Sequence, residues 1–148
     1  MSNYSGEVLA EVIRAGVVES AHLGYLVALN SDGSIAFSKG DLKAAVYPRS
    51  CVKSVQASAM VRNGLKLEPR LLALVASSHS GSSEHQTGVI EILNSAGLTE
   101  NNLQNMLDKP LGELERREWG DKAPTRLAMN CSGKHAGMLA TCVINNWS

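Results

Sequence analysis

The chain has 148 residues with 14 basic and 14 acidic side chains, a formal net charge of zero. That balance, with only 4% aromatic residues and scattered basic positions, argues against a nucleic-acid partner, and no apolar run approaches the length of a membrane span. Three cysteines without scaffold spacing exclude a disulfide framework and point to a reduced, cytoplasmic setting.

One domain covering residues 1–148 is expected. Met1 to Glu7 lack the basic start and apolar stretch of a signal peptide. Strands are expected at Val8 to Ile13, Val17 to Ser20 and Tyr25 to Leu29. Ser31 to Ser34 read as a turn, and Ile35 to Ser38 as the returning strand of a hairpin. Helical patterns follow. Cys51 to Val61 carries an apolar stripe at Cys51, Val52, Val55, Ala59 and Met60. Pro69 to Val75 starts on a proline suited to a first helical turn. Glu84 to Ala96 runs into Gly97, a typical C-terminal cap residue. Asn101 to Leu107 and Gly112 to Trp119 are shorter and more polar, and Lys134 to Ile144 is apolar along Met138, Leu139, Val143 and Ile144. Strands first and helices afterwards predict an α+β fold. Cys51 and Cys142 read as small core residues.

Two stretches carry chemistry. In Pro48-Arg49-Ser50-Cys51-Val52-Lys53 a serine lies three residues before a lysine, which on a helix places both on one face. A lysine can take a serine's proton only once its pKa is drawn down, and burial or nearby positive charge does that. Alone, this spacing also describes a solvated Ser and Lys on a surface helix. Tyr47-Pro48 favours extended backbone just ahead, so Ser50 is expected at a strand-to-helix junction. Free backbone N–H groups and the helix dipole can hold an oxyanion there. In the second stretch, Asn130 to Met138, Cys131, Lys134 and His135 cluster around Gly133. Cys-x-x-Lys is not an ordinary zinc spacing, and the plain alternative is a glycine-containing turn with a buried thiol.

The Ser-x-x-Lys stretch occurs with Arg14 to His22, with Ala76-Ser77-Ser78-His79-Ser80 and with Asn130 to Met138. In that order the four segments resemble the N-terminal half of the Rhizobium-type L-asparaginase (asparaginase II) family, from about Glu11 to Ile144. The resemblance implies a beta-lactamase/glutaminase-like architecture and hydrolysis of L-asparagine to aspartate and ammonia. It implies Ser50 as catalytic serine, Lys53 as the lysine beside it, and Ser78 as a second nucleophile. It implies zinc near the substrate, with Cys131 and Lys134 as two of its ligands. A further zinc cysteine and a second catalytic lysine are then expected in a C-terminal half beyond Ser148, or their place is filled in a homodimer. Arg49, His79 and His135 are candidate substrate-binding residues. The alternatives are a surface ion pair for Arg49 and a satisfied, partly buried histidine for His79. Other readings are a truncated, inactive remnant or another serine amidohydrolase such as a glutaminase. The missing S-D-N and K-T-G strings argue against a beta-lactamase.

Overall fold

The computed structural model describes residues 6–147. The leader reading of Met1 to Glu7 falls mostly outside them. The chain divides into two compact units, Met1–Tyr47 and Pro48–Ser148. No helix among the described residues is long and apolar enough to cross a membrane.

The first unit consists of two antiparallel ribbons. Strands β1 (Glu7–Arg14) and β2 (Val17–Gly24) pair with Arg14 opposite Val17. Their turn is Ala15-Gly16, both with positive φ (50° and 80°), the backbone that a tight two-residue hairpin requires. Strands β3 (Leu26–Leu29) and β4 (Ile35–Lys39) form the second hairpin, as the turn at Ser31 to Ser34 predicts. The Asp32 carboxylate accepts from both the Ser34 N–H (2.9 Å) and its hydroxyl (2.6 Å). These bonds favour the ionised carboxylate and hold its pKa below the ordinary value.

The second unit is helical: α1 (Lys53–Arg62), α2 (Pro69–Ala76), α3 (Ser83–Ser95), α4 (Glu113–Trp119) and α5 (Ser132–Asn145). With the antiparallel ribbons, the whole is α+β. Helix α5 packs against α1, α2 and α3. Val75, Val89, Ile92, Leu93 and Leu103 are fully buried in the core around it. Pro69 opens α2, and Ser82 caps α3 by accepting from the His85 N–H.

The predicted stripes on two helices are corrected. On α1 the buried residues are Lys53, Ala57 and Met60, while Val55 is 68% exposed and Cys51 lies on the surface. On α5 the buried face is Ser132, Gly133, Ala136, Gly137, Ala140 and Thr141. The larger Met138, Val143 and Ile144 point outward, and Cys142 is half-buried. Small residues let the α5 backbone close on α2: a Cβ on Gly133 would come within 2.8 Å of the Leu74 carbonyl oxygen. The helix expected at Asn101 to Leu107 is a single 3-10 turn, Glu100–Asn102. Beyond it the chain is irregular because Leu103 is drawn fully into the core, while Asn105 donates to the Arg126 carbonyl (2.9 Å) and Asp108 bridges Thr125.

Candidate active site

Pro48 opens a 3-10 turn, Arg49–Val52, that runs directly into α1. Ser50 therefore precedes the helix as expected, but an irregular stretch from Gly40, not a strand, leads into it. Arg49 adopts φ +48° and is exposed. For a side chain with a Cβ that conformation is costly, and such outliers concentrate at functional sites. Among the described residues Arg49 takes part in no salt bridge. The Cys51 N–H is engaged with the Pro48 carbonyl (3.0 Å), and the Lys53 N–H with the Ser50 carbonyl.

The lysine of Ser-x-x-Lys points inward. Lys53 is 3% exposed, on the same helix face as Ala57 and Met60. Its Nζ donates to the Ser77 carbonyl (2.9 Å) and meets Ser78 Oγ at 2.7 Å. Ser78 Oγ lies 3.4 Å from Ser50 Oγ. Thus Lys53 reaches Ser50 through Ser78 rather than directly. Both serines are exposed while the lysine is not. Burial holds the Lys53 pKa below the ordinary lysine value; the nearby Cys131 side chain opposes this and Lys134 adds to it. A neutral amine donates one N–H to the Ser77 carbonyl, which can only accept, and keeps a lone pair for the Ser78 hydroxyl.

The second motif meets the first here. Cys131 and Lys134 straddle the start of α5, both half-buried, with Cys131 beside Lys53. His135, one turn after Cys131, is also half-buried. Its pKa is lowered by burial first, then by Lys134 and Lys53. As donors for zinc, Cys131 and Lys134 are two where a tetrahedral site takes four. Among the described residues no three His, Cys, Asp or Glu side chains converge on one point. This pair therefore falls short of a zinc site by itself.

His79 is placed where a substrate contact is least expected. It is 3% exposed, with Nε2 2.9 Å from Ser132 Oγ, its ring stacked on His85 (5.3 Å between centroids) and its N–H donating to the Asn130 carbonyl (3.0 Å). This geometry favours the buried-histidine alternative. The pKa of His79 is lowered to about 4 by burial, then by His85 and Lys53. The unfolded chain therefore binds the proton first as pH falls. The folded state is most favoured above about pH 6.5, and this contribution is lost between pH 6.5 and 4. Acid titration followed by circular dichroism should show a shallower loss of stability over that window in His79→Gln, which carries no titrating group.

Sequence reasoning gave no role to Ser132 or the Ser77 carbonyl, both of which touch this site. Ser132 lies inside the quoted motif, but its hydroxyl acquires partners only when the 77–80 segment and Leu127 are folded against it.

A search of curated proteins finds no match to this chain. The profile of the L-asparaginase II family matches residues 10–148. That span includes the second hairpin, most of the first and every residue of the Ser50–Ser78–Lys53 and Cys131–His135 groups, and by it the chain belongs to the L-asparaginase II family.

Proposed function

We propose that this chain carries a serine amidohydrolase site for L-asparagine, with Ser50, Ser78 and Lys53 as its reacting groups. The observation that supports it best is the continuous contact Lys53 Nζ–Ser78 Oγ–Ser50 Oγ, at 2.7 and 3.4 Å, with the amine buried. Family membership supports the substrate class.

In this reading Ser50 Oγ attacks the side-chain carboxamide carbon. Its proton passes to Ser78 Oγ as the Ser78 proton passes to Lys53 Nζ. The Cys51 N–H is engaged with the Pro48 carbonyl, so the Ser50 N–H in the first turn is the backbone donor proposed for the oxyanion. Collapse breaks the C–N bond. The proton returns along the same two groups to the leaving ammonia, leaving an aspartyl ester on Ser50. Water, deprotonated along the same path, hydrolyses the ester to aspartate. Arg49, exposed next to the nucleophile, can hold the substrate α-carboxylate with two hydrogen bonds, and His135, close enough to feel the Lys53 and Lys134 charges, is the second candidate substrate contact.

The shorter contact between Lys53 and Ser78 favours a second reading, in which Ser78 attacks directly. The test is ammonia release from L-asparagine, with L-glutamine in parallel and mass spectrometry of acid-quenched protein. An added aspartyl mass on Ser50 supports the first reading, on Ser78 the second. A folded wild-type chain that releases no ammonia overturns both.

Zinc enters as a family expectation. Cys131 and Lys134 are the residues proposed to hold it, as a soft thiolate and a deprotonated amine, with the remaining ligands from outside the described residues. Bound there, zinc would polarise a substrate oxygen as a Lewis acid. Elemental analysis after zinc loading and gel filtration tests this: metal retained by the wild type and lost in Cys131→Ser supports the site, and none in the wild type overturns it for this chain. Metal-free protein that still hydrolyses asparagine would discard the requirement.

A further inference from the structure

Ser132 is fully buried at the first residue of α5 and belongs to none of the reacting groups. Its Oγ lies 2.8 Å from the Leu127 carbonyl and 2.9 Å from His79 Nε2. A hydroxyl has one proton, and a carbonyl oxygen can only accept. The Ser132 proton is therefore committed to Leu127, and His79 must be the donor at Nε2. This fixes the tautomer: Nε2 carries the hydrogen and Nδ1 is bare. Consistently, buried His79 Nδ1 has no partner among the described residues.

His79 follows Ser78 directly. The segment they occupy leaves α2 at Ser77 in extended backbone and belongs to no helix or ladder that would fix it. It is held from outside. The His79 N–H donates to the Asn130 carbonyl (3.0 Å), the Gly112 N–H to the Ser80 carbonyl (2.8 Å), and the Ser80 hydroxyl to Glu115 (2.5 Å). Among the described residues the His79–Ser132 bond is the one hydrogen bond that joins a side chain of this segment to α5. Its two ends are each one residue from the site, at Ser78 and at Cys131.

We propose that Ser132, acting through His79, is a positioning residue that sets Ser78 Oγ against Lys53 Nζ and holds the Cys131 turn on the same segment. It touches no reacting atom. The inference rests on the amidohydrolase reading above. Misplacing a reacting group by about 1 Å can cost on the order of 100-fold in rate, so loss of this bond acts on turnover rather than on substrate capture.

The test compares Ser132→Ala, His79→Leu, His79→Gln and the double variant Ser132→Ala/His79→Leu with wild type. Glutamine can still donate from its amide nitrogen to Ser132; leucine cannot. In Ser132→Ala and His79→Leu, kcat should fall about 10- to 100-fold with KM within about two-fold. His79→Gln should recover most of the loss, and the double variant should be no worse than either single one. A folded Ser132→Ala with wild-type kcat, additive losses, or His79→Gln as poor as His79→Leu would overturn the proposal. The labelling rate of the active-site serines by diisopropyl fluorophosphate, read by mass spectrometry, separates this from the substrate assignment. If wild type leaves asparagine intact yet labels rapidly, and Ser132→Ala labels slowly, the substrate reading fails and the positioning role stands. Equal labelling in the two would sink the positioning role.

Discussion

Lys53→Met removes asparagine hydrolysis and leaves the protein at least as stable as before. In the proposed mechanism the buried amine is the terminal proton acceptor for both serines, and a general base of this kind contributes roughly 10²- to 10⁴-fold. Methionine matches the length of the lysine stem, packs beside Ala57 and Met60, and requires no charge in the interior. A depressed lysine pKa means that the folded state disfavours the ammonium. Folding therefore tends to release that proton below the ordinary lysine pKa, and stability is forgone at neutral pH. Relieving this should raise the thermal midpoint while activity disappears. The two measurements are ammonia release and a melting curve on one preparation. A variant that keeps full turnover would remove Lys53 from the mechanism, and one that melts well below wild type would mean its hydrogen bonds outweigh its desolvation. Ser50→Ala, exposed and away from the core, should lose turnover with an unchanged melting curve.

Gly133→Ala should be harmful at a position where helix propensity alone predicts a gain. Alanine in place of a glycine stabilises a helix interior by about 1 kcal/mol, and Gly133, in the first turn of α5, would gain at most that. Here the new Cβ would lie 2.8 Å from the Leu74 carbonyl oxygen and 2.9 Å from Leu74 Cγ. Backbone cannot rotate aside, and overpacking of this kind costs roughly 1–3 kcal/mol, so the net effect is a loss. The displacement would not stay local. The Leu74 carbonyl accepts from the Ser77 hydroxyl and N–H, and the Ser77 carbonyl holds Lys53. Turnover should therefore fall with stability. Gly137→Ala is the control. Its Cβ meets the Val75 methyls at 2.8 Å and Met60 Sδ at 3.3 Å; these are side chains rather than backbone, and although buried, β-branched Val75 is stiff, Met60 can yield. It should be the milder of the two in denaturant melts, and the reverse order would contradict the packing argument.

The turns and motifs were legible in the sequence; the inward faces of two helices were not. Asp32-Gly33 fixes one hairpin because only a few residues tolerate its backbone. Pro69 and Gly97 mark helix ends for equally local reasons. Counting large apolar residues failed on α1 and α5 because what is buried there is set by how closely backbones approach. Gly133, Ala136, Gly137 and Ala140 win the inner face of α5 by being small, and Met138, Val143 and Ile144 are left outside. On α1 the stripe count set Lys53 aside as polar, although it shares its face with Ala57 and Met60. The sequence pointed to Ser50, Lys53 and Ser78 as candidates, which the structure brings side by side, but not to their wiring. Three-residue spacing suggests that Lys53 serves Ser50, whereas Ser78, from a distant stretch of chain, stands between them. Ser132 could be recognised only from the partners that folding gives its hydroxyl.

The boundary between the two units has an evolutionary corollary. It falls at Tyr47–Pro48, just ahead of Ser50, so every side chain of the constellation from Arg49 to His135 is encoded on one side of it. Substitutions in the hairpin-bearing segment replace no residue of that constellation. Among descendants of this gene, mutational tolerance should therefore be narrow where Gly133, Ser132 and His79 meet, and narrow also at Gly16, whose φ of +80° favours glycine.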